Sequence, residues 1–126
     1  MSANTPAELV SLLSENINAG DLQAVVACYE SEAVFVLPED QGGQARGREA
    51  IGTVYAQFLA TKPTLTSSAT VIVEASGVAV VLGDWTLEET GPDGNSASVS
   101  GKFRDVVRQQ PDGTWLYLID NPFQPG

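Results

Sequence analysis

The chain has no histidine and one cysteine, Cys28, in 126 residues. Without an imidazole there is no Ser-His or Cys-His nucleophile pair and no histidine-ligated metal. A single cysteine excludes an internal disulfide and a multi-cysteine zinc site. An all-oxygen Ca²⁺ or Mg²⁺ loop is not signalled either, because no Asp-x-Asp-x-Asp-Gly spacing occurs. Basic residues are scarce. Six Lys and Arg face sixteen Asp and Glu, a formal charge of −10, and Met1 to Ala45 holds no Lys or Arg at all. So negative a surface repels nucleic-acid phosphates and anionic membranes, and neither is expected as a partner. Apolar runs such as Val78 to Leu82 are too short to span a bilayer, and Met1 to Pro6 has no leader character. The expected location is cytoplasmic.

What is present is patterned hydrophobicity, 43% of residues, enough for one core in one domain spanning 1–126. Thr5-Pro6-Ala7-Glu8 opens a first helix as a capping box with proline at the first helical position. Leu9, Leu12, Leu13 and Ile17 form its apolar stripe, and Gly20 stops it. Asp21 caps a second helix with a stripe of Leu22, Val25, Val26 and Tyr29. Cys28 stands off that stripe, with no base nearby in sequence to make it a nucleophile. Ala33 to Leu37 reads as a short buried strand ended by Pro38, and Glu39 to Arg46 as a polar glycine-containing loop. A third helix runs from about Arg48 to Ala60, with Ile51, Val54, Tyr55, Phe58 and Leu59 on one face.

The second half changes period. Thr64 to Ala75, Val78 to Thr90, Ser96 to Gln109 and Thr114 to Asn121 are rich in β-formers. Ser76-Gly77, Gly91 to Asn95 and Pro111 to Gly113 separate them as turns, which predicts a four-strand antiparallel meander. Helices followed by such a sheet make an α+β domain.

That order, with Asn18-Ala-Gly-Asp-Leu22, Tyr29-Glu-Ser-Glu-Ala33, Gly47-Arg-Glu-Ala-Ile51 and Asp112-Gly-Thr-Trp115 in place, resembles the NTF2-like superfamily. Within it the chain is most similar to SnoaL-like and ketosteroid-isomerase-like proteins. The resemblance implies an NTF2-like cone, three N-terminal helices packed on a curved, mostly antiparallel sheet around an apolar cavity. It also implies a homodimer through the outer sheet face and a small hydrophobic molecule as partner. Such folds host isomerases, cyclases and epoxide hydrolases, and also domains that only bind or associate, so fold alone does not choose.

Two aspartates are the candidate catalytic residues. Asp105 lies between Phe103 and Val107 on one strand face, and an acid among apolar groups should have a raised pKa. Asp120 follows Leu116 and Leu118 on alternate positions; the competing reading is a turn at Asp120-Asn121-Pro122. Leu13, Tyr29, Leu37, Tyr55, Phe58, Trp85, Phe103 and Leu118 are the expected pocket residues. For Tyr29, Tyr55 and Phe58 plain core packing competes with that role, as core or interface packing does for Trp85. Arg46 and Arg48 either steer an anionic ligand or pair with Glu39 and Glu49. By the resemblance, Leu37 stands where ketosteroid isomerases carry their base, and Leu13 where they carry a tyrosine. Only Asp105 matches an isomerase acid. The arginine of the epoxide-hydrolase pattern is replaced by Phe103. No metal or organic cofactor is expected. Two classes stay open: a cofactor-free acid/base isomerase, cyclase or hydrolase using Asp105 and Asp120, and a non-catalytic binding or association domain.

Overall fold

The computed structural model describes residues 2–90 and 93–123. Helix α1 (Pro6–Ala19) starts as expected: the Thr5 hydroxyl accepts from the Glu8 amide at 3.1 Å, and Gly20 ends it in the left-handed region at φ 69°. Helix α2 (Leu22–Val26) is only five residues, capped by Asp21. Strand β1 (Tyr29–Val36) therefore begins earlier than sequence reading placed it, and it includes Tyr29. A 3₁₀ turn (Glu39–Gln41) and a short strand β2 (Gln44–Arg46) occupy the expected loop. Helix α3 (Gly47–Leu59) follows, then β3 (Thr64–Ala75), β4 (Val78–Thr90), β5 (Ser96–Gln109) and β6 (Trp115–Asp120). Ser76 at φ 53° and Gly77 at φ 78° make the two-residue hairpin turn between β3 and β4. Gly91 and Pro92 of the next expected turn lie outside the described residues.

The strands form one sheet in the order β2-β1-β6-β5-β4-β3. The meander β3 to β6 is antiparallel, as expected, but β1 joins it parallel to β6. Parallel pairing between the first and last strands was not legible locally, because nothing in either segment names its partner. The result is an α+β cone with three α-helices against a mixed, mostly antiparallel sheet.

Polar clamps fix the layers. The Asn18 side-chain amide donates to the Leu65 carbonyl at 2.9 Å and accepts from the Leu65 amide at 2.7 Å, tying α1 to β3. Arg48 Nε donates to the Tyr29 carbonyl at 2.8 Å, so it pins α3 to the start of β1 rather than pairing with Glu49. Among the described residues the ion pairs are Lys102–Asp84 and Arg108–Glu30, and neither Arg46 nor Arg48 joins one. Cys28 is buried in the core at 2% exposure, and burial pushes its thiol up to about 11, the opposite of what a nucleophile needs. Among the described residues no helix is long and apolar enough to cross a membrane.

Candidate functional site

Between the helices and the concave sheet face lies a cavity of about 390 Å³. Seven of its twenty lining residues are aromatic. Leu13 and Ile17 of α1, Val54, Tyr55 and Phe58 of α3, and Trp85 and Phe103 of the sheet are part of its wall.

The sheet residues lie flat because of two glycines. Gly83 pairs with Phe103 and Gly101 with Trp85 across β4 and β5. A Cβ on Gly83 would collide with the Phe103 ring and the Ser68 carbonyl, and one on Gly101 with the Trp85 indole. Each ring occupies the space that its partner's missing side chain leaves. Trp85 is also fixed from its edge, since Nε1 donates to the Pro122 carbonyl at 2.6 Å.

Asp105 and Asp120 are the acids of this wall, 4% and 5% exposed. Asp105 stands between Phe103 and Val107 as the strand alternation requires. Asp120 arrives by a different route from the one read in the sequence. Val107 pairs with Tyr117 but Val106 with Ile119, so Leu118 is an extra residue in β6. This bulge reverses the alternation. Trp115 and Tyr117 point inward before it, Asp120 points inward after it, and Ile119 is 36% exposed. Leu116 and Leu118 are half-buried and do not line the cavity, so Leu118 is withdrawn from the pocket set. One rung beyond Val106–Ile119, the two aspartates stand opposite each other.

Their partners come from three further elements. The Tyr29 hydroxyl donates to Asp120 Oδ2, and Tyr29 and Tyr55 share a 2.6 Å hydroxyl–hydroxyl bond. Asp105 Oδ1 accepts from the Asn121 amide at 2.7 Å. Tyr29 is a β1 residue packed behind Asp120 and stacked on Tyr117, neither on a helix face nor on the cavity wall as expected. The remaining expected pocket residues, Leu13, Leu37, Tyr55, Phe58, Trp85 and Phe103, do line the cavity. Phe35, Tyr117 and Phe123 also line it and were missed. Phe35 had a signal, because it alternates with Ala33 in the first strand.

Burial dominates the electrostatics. It raises Asp105 well above the ordinary carboxyl value, and the neighbouring Asp120 raises it further. Burial also raises Asp120, to about 6, while hydrogen bonds from Tyr29 and Asp105 pull it back down. Both carboxyls are pushed up, and of the pair Asp105, raised by burial and by its acidic neighbour, is the one that holds its proton more tightly. Tyr29, Tyr55 and Tyr117 stay protonated, since burial lifts each well above its ordinary value. An acid and a base facing one apolar space is the arrangement that proton transfer needs. Among the described residues no group of three or more acids or cysteines is placed to hold a metal.

Comparison with known proteins places the chain in a family. The profile of the SnoaL-like domain family matches residues 10–117. Curated proteins yield no match. Solved structures share the fold at low identity. An NTF2-like superfamily protein from Salmonella enterica superposes with TM-score 0.80 at 21% identity, covering 95% of this chain and 88% of that one. An NTF2-like protein with a cystatin-like fold from Novosphingobium aromaticivorans gives 0.78 at 15% identity, with 93% and 77% covered. A ketosteroid isomerase-like protein from Erwinia carotovora gives 0.76 at 19% identity, with 93% and 92% covered.

Proposed function

The chain belongs to the SnoaL-like domain family, and we propose that it is a small-molecule pocket protein whose Asp105–Asp120 pair moves a proton on a small hydrophobic ligand. The observation that carries this reading is the two carboxyl groups, each at least 95% buried, that share one apolar cavity. Burying a carboxylate pair is costly. Asp105 is the donor and Asp120 the acceptor, with Tyr29 and Tyr55 holding Asp120 in place. An acid and a base on one ligand suit isomerisation, cyclisation or hydrolysis.

Proton exchange is the first test. In D₂O, deuterium should enter the α-carbon of 2-tetralone faster with the protein than without it. Asp120→Asn should return that rate to the buffer value. A wild-type rate equal to buffer would remove the acid/base reading and leave a binding domain. Steroid isomerisation is expected to be absent. Leu37 and Leu13, which stand by resemblance at the base and tyrosine positions of ketosteroid isomerases, line the cavity, and neither can exchange a proton. A β,γ-unsaturated ketosteroid should therefore rearrange at the buffer rate. Clear turnover, lost in Asp105→Asn, would contradict this.

The protein is further proposed to be a dimer through the convex sheet face. Val73, Val80, Val106, Ile119 and Val34 are register partners in one row across five strands. Val73 is 60% and Val80 43% exposed, an apolar stripe that a lone subunit leaves in water. Sedimentation should give a dimer at micromolar concentration, and Val80→Lys should give a folded monomer. A wild-type monomer would refute it.

A further inference from the structure

The charge of the cavity narrows the ligand. Asp120 Oδ2 is held by Tyr29 and Asp105 Oδ1 by the Asn121 amide. No N–H or tyrosine hydroxyl of the described residues reaches Asp120 Oδ1 or Asp105 Oδ2; what remains there is the proton the two carboxyls share. No Lys or Arg lines the cavity. A carboxylate pair bearing net negative charge thus faces the cavity without a protein cation to balance it. Such a charge is strongly unfavourable until something neutralises it.

Around that charge stand the faces and edges of aromatic rings. Tyr55, Phe58, Trp85, Phe103 and Tyr117 are on the wall, and aromatic faces attract cations when water is excluded. The same features disfavour an anion, which would meet Asp120 with no positive partner.

We infer that the cavity takes a small apolar amine, bound as its ammonium with the charged nitrogen at Asp105–Asp120 and its hydrocarbon part among the aromatic rings. This rests on the ligand-pocket reading above and narrows it to a chemical class. An ammonium also suits an acceptor carboxylate, because its N–H groups can donate to Asp120.

The test uses three ligands with one skeleton: 2-aminoindane, 2-indanol and indane-2-carboxylate. Binding is read by calorimetry and by tryptophan fluorescence, which Trp85 on the wall should report. Near neutral pH the amine is expected to bind one to one, about tenfold or more tighter than the alcohol, the order of a buried cation–π plus ion-pair contact. The carboxylate should not bind. Below about 6, where Asp120 takes up its proton, amine affinity should fall with pH while alcohol affinity stays flat. Among the groups packed against the pair, Tyr29 of β1, Tyr55 of α3 and Tyr117 of β6 titrate far above that range, so only the aspartates can produce the fall. The variant Asp105→Asn/Asp120→Asn, checked for folding by its melt, should bind amine and alcohol alike. Equal affinity in the wild type, or an amine preference that survives in the double variant, overturns the inference and leaves the pocket reading standing. If the double variant does not fold, the wild-type pH profile decides: a flat amine profile overturns the inference. Failure of all three ligands to bind at millimolar concentration overturns both.

Discussion

Asp120→Asn is expected to melt higher than the wild type near neutral pH. Asp120 titrates at about 6 in the fold against an ordinary aspartate value near 3.9. A carboxyl whose folded value is raised adds stability while protonated and loses it as pH climbs through the folded value. For a shift of that size the loss at neutrality is about 3 kcal/mol. An asparagine keeps the shape and an oxygen for the Tyr29 hydroxyl, and it has no charge to desolvate. A gain of about 1–3 kcal/mol is expected, or several degrees in the melt. The wild type should likewise become more stable as pH falls from neutral to about 5, and Asp105 works in the same direction. Below that, Glu30 reverses the trend. Its carboxylate is held below the ordinary value by two hydrogen bonds from Arg108, with Gln110 adding a third, so its contribution is lost as pH falls through that lowered value. Stability should therefore peak on the acid side of neutrality. If Asp120→Asn instead melts clearly lower and the wild type weakens on mild acidification, Asp120 is a structural residue.

Gly83→Ala should cost about 3 kcal/mol, the upper end for overpacking a filled site. The added methyl meets both the Phe103 ring and the Ser68 carbonyl, and the second is backbone of the paired strand β3 that cannot step aside. Gly101→Ala makes the useful contrast. The atoms nearest to its methyl all belong to the Trp85 indole, a side chain that can swing into the cavity at the loss of its bond to the Pro122 carbonyl. That variant should lose only about 1 kcal/mol, the net worth of one hydrogen bond. Its tryptophan emission should change and its cavity should shrink. Urea melts of the two proteins give the comparison. A larger loss in Gly101→Ala would mean that the indole, not the backbone, is the rigid partner.

Much of this was readable from residue order alone. The capping box at Thr5, the stop at Gly20 and the hairpin at Ser76-Gly77 are local signals, and each appears where the sequence puts it. Asp105 was legible for the same reason, because an uninterrupted strand fixes which face a residue takes. Asp120 was found, but its neighbours were misread, since a single bulge residue at Leu118 carries no sequence mark and inverts the alternation beyond it. Tyr29 was misread through the same kind of ambiguity. Three residues past Val26 it continues a helical stripe, yet pairing with Tyr117 in the last strand draws it into the sheet. The strand β2 and the parallel β1–β6 pairing depend on partners far apart in sequence, and no local pattern encodes them.

The shared proton is the central claim, and it is open to direct measurement. Carboxyl carbon-13 chemical shifts of Asp105 and Asp120, followed by NMR from about pH 3 to pH 9, report each group's charge in the intact protein. One aspartate should remain protonated at neutral pH and the other should titrate near 6. Asp105→Ala should raise the value of Asp120 by removing the hydrogen bond that pulls it down. Two ordinary titrations near the usual aspartate value, with both groups ionised at neutrality, would contradict the account.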